Sequence, residues 1–178
     1  MISKFLLKLF GWKVSCTVPD YPKCIICVAP HTSNWDFVLG KLAYWSVGRD
    51  AGFLIKESWF FFPMNLLFKA LGGIPVSRKR GSSLSEAIIE KFRAAKRLSI
   101  AITPEGTRSR VSDWRTGVLH IAYDANVPII IGAIDAATKN IYLDKTFTAT
   151  GDIAADMARI KEYYRPFSGI KPENFTTE

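Results

Sequence analysis

His31 and Asp36 are the two residues whose types and spacing most directly offer acid–base chemistry. They bound the stretch His31-Thr32-Ser33-Asn34-Trp35-Asp36, which holds one of the two histidines in the chain. On one continuous helix, residues five apart would point about 140° away from each other. They can meet if His31 precedes a helix that Ser33 caps, with Asp36 in its first turn. The carboxylate could then fix the imidazole tautomer and leave the other nitrogen as a base. An ordinary capping box, with His31 an incidental loop residue, fits the same pattern.

Two later stretches carry groups that suit an anionic ligand. The first, Gly72-Gly73-Ile74-Pro75-Val76-Ser77-Arg78, predicts a glycine turn and a short strand from whose end Arg78 could bind a phosphate through two hydrogen bonds. The second, Pro104-Glu105-Gly106-Thr107-Arg108-Ser109, offers a glycine for close backbone approach, two hydroxyls and the guanidinium of Arg108. Ordinary turns are rich in the same residue types.

Hydrophobic periodicity predicts the strands and helices that would position these residues. Strands are expected over residues 13–18, 23–28, 52–56, 99–103, 127–133 and 140–147, and helices over 2–12, 35–47, 83–98, 116–126 and 152–164. The strand over 23–28 delivers His31 at its carboxyl end, which is where open α/β sheets bind their ligands. His120, the other histidine, falls inside a predicted helix, and we expect no catalytic part for it.

Composition limits the class of protein. A chain of 178 residues predicts one domain, and 48% hydrophobic residues exclude a disordered chain. The net charge of +8 fits nucleic acid, anionic lipid or a polyphosphate ligand, and composition does not choose among them. Cys24 and Cys27 lie three apart on a predicted strand and so face opposite ways, which predicts core packing rather than a metal site or a disulfide. The protein is therefore expected in a reducing compartment.

Four stretches taken in order resemble the glycerolipid acyltransferase family, whose best-known members acylate lysophosphatidic acid to phosphatidic acid. They are His31-x4-Asp36, Gly72-x-x-Pro75-Val76-x-Arg78, the loop over residues 104–109, and Val127-Pro128-Ile129-Ile130. The resemblance covers roughly residues 24–135, and the whole chain is similar to a short bacterial subgroup of that family. Pro75 and Gly132 depart from the usual family pattern, and both departures bear on the acceptor pocket.

The resemblance implies a fold and a division of the chain. The fold is an α/β single domain of the glycerol-3-phosphate acyltransferase-like kind, with a mixed, largely parallel sheet flanked by helices. Residues 1–12 would form an amphipathic, membrane-associating helix, residues 13–165 the acyltransferase domain, and residues 166–178 a polar C-terminal tail.

The resemblance also implies a role for each candidate residue. His31 would be the general base that takes the proton from the acceptor hydroxyl as it attacks the donor thioester, and Asp36 would orient it. The groups implied to hold the acceptor are Arg78, Glu105, Gly106, Thr107 and Arg108, with Lys56 as a further candidate cation. No metal and no cofactor is expected.

The expected partners follow from that reaction. They are an acyl-CoA or acyl-carrier protein donor, a lysolipid acceptor and an anionic membrane surface, without nucleic acid. Peripheral attachment to the cytoplasmic face of the inner membrane is expected, since no apolar run reaches the roughly 18 to 20 residues of a membrane span. Acyl transfer to another lyso-lipid such as a lyso-aminolipid, thioester hydrolysis, and a non-catalytic module that binds membrane lipids remain alternatives.

Two apolar segments could make the membrane contact. In the N-terminal helix Ile2, Phe5, Leu6, Leu9 and Phe10 share one face beside Lys4 and Lys8, which fits either an interfacial helix or one packed on the domain. Residues 58–71 are dense in large apolar side chains and fit an interfacial segment, an acyl-chain channel or a buried helix. The family resemblance favours the membrane-facing alternative for both segments.

Overall fold

A single mixed sheet organises the chain in a computed structural model, which describes residues 2–76 and 84–178. The seven strands of the described part are β1 Lys13–Cys16, β2 Lys23–Ala29, β3 Gly52–Lys56, β4 Gly73–Val76, β5 Leu98–Ile102, β6 Ile129–Asp135 and β7 Asn140–Phe147. Their order is β1-β7-β6-β2-β5-β3-β4. The neighbours from β6 to β4 are parallel, whereas β7 pairs with β6 antiparallel and with β1 parallel.

Helices cover both faces of this sheet. They are α1 Ile2–Leu9, α2 Asn34–Ser46, α3 Met64–Ala70, α4 Leu84–Ala94, α5 Gly117–Ala125 and α6 Ile153–Tyr164 within the described residues. Side chains of α4, α5 and α6 share one core with the sheet, and those of α1 and α2 pack on the opposite face. The predicted fold, a mixed and largely parallel sheet flanked by helices, is therefore confirmed.

The central strand β2 shows why the sequence folds this way. Ile25 and Cys27 point into the core shared with α4, α5 and α6, while Cys24 and Ile26 point towards α2. A parallel strand covered on both faces needs an unbroken apolar run, which β2 supplies. The prediction that the two cysteines face opposite ways and pack in the core is confirmed.

Several element boundaries differ from the predicted ones. Helix α4 ends at Ala94 rather than near residue 98, and β5 begins at Leu98 because its N–H already bonds the carbonyl oxygen of Pro22 at 2.8 Å. Strand β6 runs over Ile129–Asp135, two residues later than predicted, and Pro128 before it has no N–H for a ladder bond.

Residues 166–178, the predicted polar C-terminal tail, pack against the domain. Phe167, Ile170 and Phe175 lie against the two main cores. The Lys171 N–H donates a hydrogen bond of 3.1 Å to Oγ1 of Thr32, beside His31. These three apolar side chains, spread among polar ones, hold the segment in place, and it supports the loop between β2 and α2.

Helix α1 combines the two alternatives that the sequence left open. It packs against α2 through Leu7, which is 3% exposed. The predicted apolar face is turned outwards, because Ile2, Phe5, Leu9 and Phe10 are all exposed. The helix is thus docked on the domain and still presents an apolar surface.

The apolar segment over residues 57–70 is also exposed. It consists of a 3-10 turn at Glu57–Trp59 and helix α3, and neither contains a buried residue. Phe62 is 78% exposed, and Trp59, Phe61, Leu66 and Leu67 are all more than half exposed. The alternative of a fully buried helix is therefore wrong. None of the helices in the described ranges has the length and hydropathy of a membrane-spanning helix.

Candidate active site

The loop between β2 and α2 sets the geometry of the predicted catalytic pair. Ser33 caps α2, and its hydroxyl oxygen accepts a hydrogen bond of 3.2 Å from the Trp35 N–H. The Asp36 side chain closes the reciprocal half of this capping box, with Oδ2 accepting 2.6 Å hydrogen bonds from the Thr32 and Ser33 N–H groups. The predicted cap is confirmed, and it bends the chain so that His31 and Asp36 face each other.

The two side chains approach without forming the predicted hydrogen bond. Nδ1 of His31 lies 3.7 Å from Oδ2 of Asp36, which is longer than a hydrogen bond. The other carboxylate oxygen of Asp36, Oδ1, is buried and has no hydrogen-bond partner among the described residues. Catalytic hydrogen bonds are often long before substrate binds, so this arrangement is compatible with an orienting carboxylate.

Burial keeps the imidazole of His31 neutral at physiological pH. Loss of solvent, and then the positive charge of Arg108, lowers its pKa from 6.5 to about 4. Burial raises the pKa of Asp36, and this is opposed by the N–H groups of Ser33 and Thr32 and by the charge of Arg108. A neutral imidazole has one nitrogen with a free lone pair, which is the state that a general base requires.

Glu105 lies behind His31 rather than in the substrate space. Its side chain is buried, with 5% exposure, and its carboxyl group accepts a hydrogen bond from the backbone N–H of His31. Burial raises the pKa of Glu105 to about 8, with a further upward contribution from the charge of Asp36. The resemblance implies that Glu105 holds the acceptor, whereas the structure places it against the backbone of the histidine.

The other residues of that loop lie closer to solvent. Gly106 lines the cavity described below and has a φ of +65°, which favours glycine. Oγ1 of Thr107 accepts a hydrogen bond of 3.2 Å from the Ser109 N–H, so this hydroxyl is engaged within the loop. Arg108 is exposed, and its charge acts on both His31 and Asp36.

Three other residues considered in the sequence analysis, Lys56, Arg78 and His120, are not found at the cavity in the described part of the structure. Lys56 is exposed at the end of β3 and does not line the cavity. Arg78 lies outside the described residues. His120 is exposed on α5 and is not among the cavity-lining residues, and the expectation that it has no catalytic part stays a prediction.

An apolar cavity of about 460 Å³ opens beside His31 and runs between α2 and the sheet. Helix α2 supplies a continuous wall, since the residues at one helical face, Asp36, Phe37, Gly40, Lys41 and Tyr44, all line it. The sheet supplies the opposite wall with Ile26, Val28, Phe53, Leu54, Ile134 and Leu143. The volume lies within the range of about 300 to 1,000 Å³ that is typical of small-molecule sites.

Two charged residues that line the cavity, Lys41 and Arg115, were not identified as site residues from the sequence. Lys41 is buried in the wall, where Nζ bonds Oδ1 of Asp50 and the carbonyl oxygen of Ala51, each at 2.7 Å. Its signal was a lysine among the apolar residues of α2. Arg115 lines the cavity beside Gly106 and had no local signal, because it comes seven residues after Arg108 in a polar stretch.

A search against family models matches residues 17–134 to the family described as Acyltransferase. The chain belongs to the Acyltransferase family. The resemblance to glycerolipid acyltransferases found in the motifs is thereby confirmed, and the matched residues include His31, Asp36 and the loop over residues 104–109.

Curated relatives of this Acyltransferase-family chain carry a consistent description. The chain is 30% identical over 151 residues to a 1-acyl-sn-glycerol-3-phosphate acyltransferase of Salmonella typhimurium and 30% identical over 149 residues to one of Escherichia coli K12. Both alignments cover 79% of this chain and 60% of the relative. This acyltransferase-family chain thus corresponds to about three fifths of the length of these relatives.

A solved structure supports the fold of the acyltransferase-family chain. The 1-acyl-sn-glycerophosphate (LPA) acyltransferase PlsC from Thermotoga maritima aligns with a TM-score of 0.64, covering 92% of this chain and 74% of that one. The sequence identity is 19%, so the likeness concerns the fold.

Proposed function

We propose that this chain transfers a fatty acyl group from the thioester of acyl-CoA or acyl-carrier protein to the hydroxyl of a lysophospholipid in phospholipid biosynthesis, with lysophosphatidic acid as the acceptor. The observation that carries the proposal is the apolar cavity of about 460 Å³ that is lined by a neutral, half-buried His31. The relatives described above are 1-acyl-sn-glycerol-3-phosphate acyltransferases, which supports the choice of acceptor.

In the proposed reaction His31 acts as a general base. It takes the proton of the acceptor hydroxyl while the hydroxyl oxygen attacks the thioester carbonyl carbon. The tetrahedral intermediate then expels the thiolate of the donor, which recovers the proton from the imidazolium, so that one thioester is broken and one oxygen ester is formed. Asp36 stabilises the imidazolium in between, because its carboxylate lies 3.7 Å from Nδ1 and one of its buried oxygens still has no partner among the described residues.

The cavity would hold the acyl chain of the donor. Its walls are apolar along α2 and the sheet, and His31, beside which the thioester carbonyl must be placed, is among its lining residues. An alkyl chain buried there gains about 0.8 kcal/mol for each methylene removed from water. This contribution would align the reacting carbonyl with the base.

We propose that the enzyme attaches peripherally to the cytoplasmic face of the inner membrane. The outward face of α1 and the segment over residues 57–70 expose large apolar side chains, and Lys4 and Lys8 lie on α1. Each lysine near an anionic surface contributes about 1 kcal/mol. Washing membranes with high salt or carbonate should release the protein, whereas a chain found wholly in the soluble fraction without detergent contradicts the attachment.

The catalytic proposal is tested by replacing His31 with alanine. The protein is incubated with labelled acyl-CoA and a panel of lysolipids, and products are identified by mass. His31→Ala should lower acyl transfer by about 10² or more, the usual contribution of a general base, while binding to liposomes persists. His120→Ala is the matched control, because that histidine is exposed on α5 away from the cavity.

The same panel separates the alternatives. Full activity of His31→Ala would show that the mechanism is wrong. Transfer by the wild type to a lyso-aminolipid in preference to lysophosphatidic acid would show that the lyso-aminolipid is the acceptor. Release of free fatty acid alone would identify a thioester hydrolase. Liposome binding with no turnover of any substrate would favour a lipid-binding module.

A further inference from the structure

Arg115 is a cation at the cavity that none of the four sequence motifs contains. It lies just before α5, and its backbone N–H donates a hydrogen bond of 2.7 Å to the carbonyl oxygen of Pro104. This bond ties it to the start of the loop over residues 104–109. Arg115 lines the same cavity as His31 and Gly106, and it is exposed.

The side chain of Arg115 lies directly on the backbone of Gly106. A Cβ atom added to Gly106 would be 2.3 Å from Nε and 2.6 Å from Cδ of Arg115, closer than such atoms can come. Any other residue at position 106 would therefore displace the guanidinium. The glycine is needed for two reasons, since its φ of +65° also disfavours other residues.

The charge of Arg115 has no carboxylate partner among the residues that the structure describes. Within residues 2–76 and 84–178, the ion pairs of the structure do not include it. Residues 77–83 contain no acidic residue in the sequence. Of the nearby carboxylates, Asp36 accepts hydrogen bonds from the backbone through Oδ2, and Glu105 is buried behind His31. The guanidinium is therefore available to an anionic ligand.

We propose that Arg115, placed by Gly106, binds the phosphate of the lysolipid acceptor and selects for acceptors that carry one. This inference rests on the proposed function and deepens it. The phosphate of lysophosphatidic acid is separated from the reacting hydroxyl by only two carbon atoms and an ester oxygen, so a cation that lines the same cavity as His31 can reach it. The phosphates of acyl-CoA lie beyond the long pantetheine arm and would be far from this cation when the thioester is at His31.

The first test is steady-state kinetics of Arg115→Met. With lysophosphatidic acid the KM of the acceptor should rise about tenfold or more, as expected for the loss of a charge-assisted hydrogen bond, with a smaller fall in kcat. The KM of acyl-CoA should be unchanged. Turnover of monoacylglycerol, which lacks the phosphate, should also be unchanged, and Arg115→Lys should recover part of the affinity because it restores the charge without the planar fork.

Gly106→Ala tests whether the glycine acts through the arginine. It should raise the acceptor KM in the same direction as Arg115→Met, and the double variant should be little worse than either single one. Gly48→Ala is the matched control for backbone strain, because Gly48 also has a positive φ but an added Cβ would have no neighbour within 4 Å. Additive effects of Gly106→Ala and Arg115→Met would contradict the placement.

A binding measurement keeps this inference separate from the proposed function. Calorimetric titration with a short-chain lysophosphatidic acid should show binding by the wild type that weakens about tenfold or more in Arg115→Met. That result supports Arg115 even if the wild type acylates no lysolipid, in which case only the proposed function fails. Equal binding by the two proteins, no binding by the wild type, or a change confined to the KM of acyl-CoA would overturn the inference.

Discussion

Replacing Gly40 with leucine should shorten the acyl chain that the cavity accepts. Gly40 lies on α2 one turn after Asp36 and one turn before Tyr44, and all three line the cavity. A Cβ atom added at Gly40 would meet no other atom within 4 Å, so a larger side chain can enter the open space. If the cavity holds the acyl chain, the new side chain and the far part of that chain compete for the same volume.

The expected size of the effect follows from the number of methylenes displaced. A leucine side chain fills the space of about four methylene groups, and each buried methylene contributes about 0.8 kcal/mol. Long chains should therefore lose about 3 kcal/mol relative to chains that still fit, which is roughly a hundredfold change in selectivity. The fold should not weaken, because replacing glycine inside a helix gains roughly 0.5 to 1 kcal/mol of helix propensity.

Competition among acyl-CoAs of increasing even chain length, read by mass of the product, measures this shift, and thermal unfolding measures the fold. Val38→Leu is the matched control, since Val38 is on α2 but outside the cavity wall. A Gly40→Leu variant with an unchanged unfolding midpoint and an unchanged chain-length profile would refute the assignment of the cavity to the acyl chain.

Two further predictions concern the surroundings of His31. Because burial and then the charge of Arg108 lower the pKa of His31 from 6.5 to about 4, kcat/KM of the wild type should keep its value down to about pH 5, and Arg108→Gln should move this acid limb to higher pH. If the acid limb of the pH profile is the same in Arg108→Gln and the wild type, the charge of Arg108 does not affect the pKa of His31. Because burial raises the pKa of Glu105 to about 8, its carboxyl is neutral at pH 7. The Glu105→Gln variant should therefore keep most of the wild-type kcat, whereas kcat of Glu105→Ala should fall about tenfold. Equal losses of kcat in the two variants would contradict a role of Glu105 through its hydrogen bond with the His31 N–H.

Local signals in the sequence were enough to predict much of the fold. The capping box at Ser33 and Asp36 depends on residues three apart, and it formed as predicted. The buried strands β2 and β6 were visible because both faces of a parallel strand must be apolar. The apolar run of β5 likewise predicted that the loop over residues 104–109 follows the end of a strand, and Gly106 of this loop does line the cavity.

Features that depend on distant contacts could not be predicted from the sequence. Strand β1 pairs with β7, more than a hundred residues later, and nothing near residues 13–16 encodes this partner. The burial of Glu105 behind His31 depends on two adjacent strand ends. In α1, periodicity identified the apolar face correctly. It did not show that this face would stay exposed while Leu7 makes the contact with the domain.

The packing of residues 169–171 against the loop of His31 also affects when the site can form. The hydrogen bond from the Lys171 N–H to Thr32 joins residues 139 positions apart, and a Cβ atom at Gly169 would lie only 2.6 Å from the side chain of Thr32. During synthesis the segment over residues 169–171 leaves the ribosome well after the histidine, and after all seven strands of the described part, the last of which ends at Phe147. The nascent chain can therefore build most of its sheet before the loop of His31 is held in its final geometry.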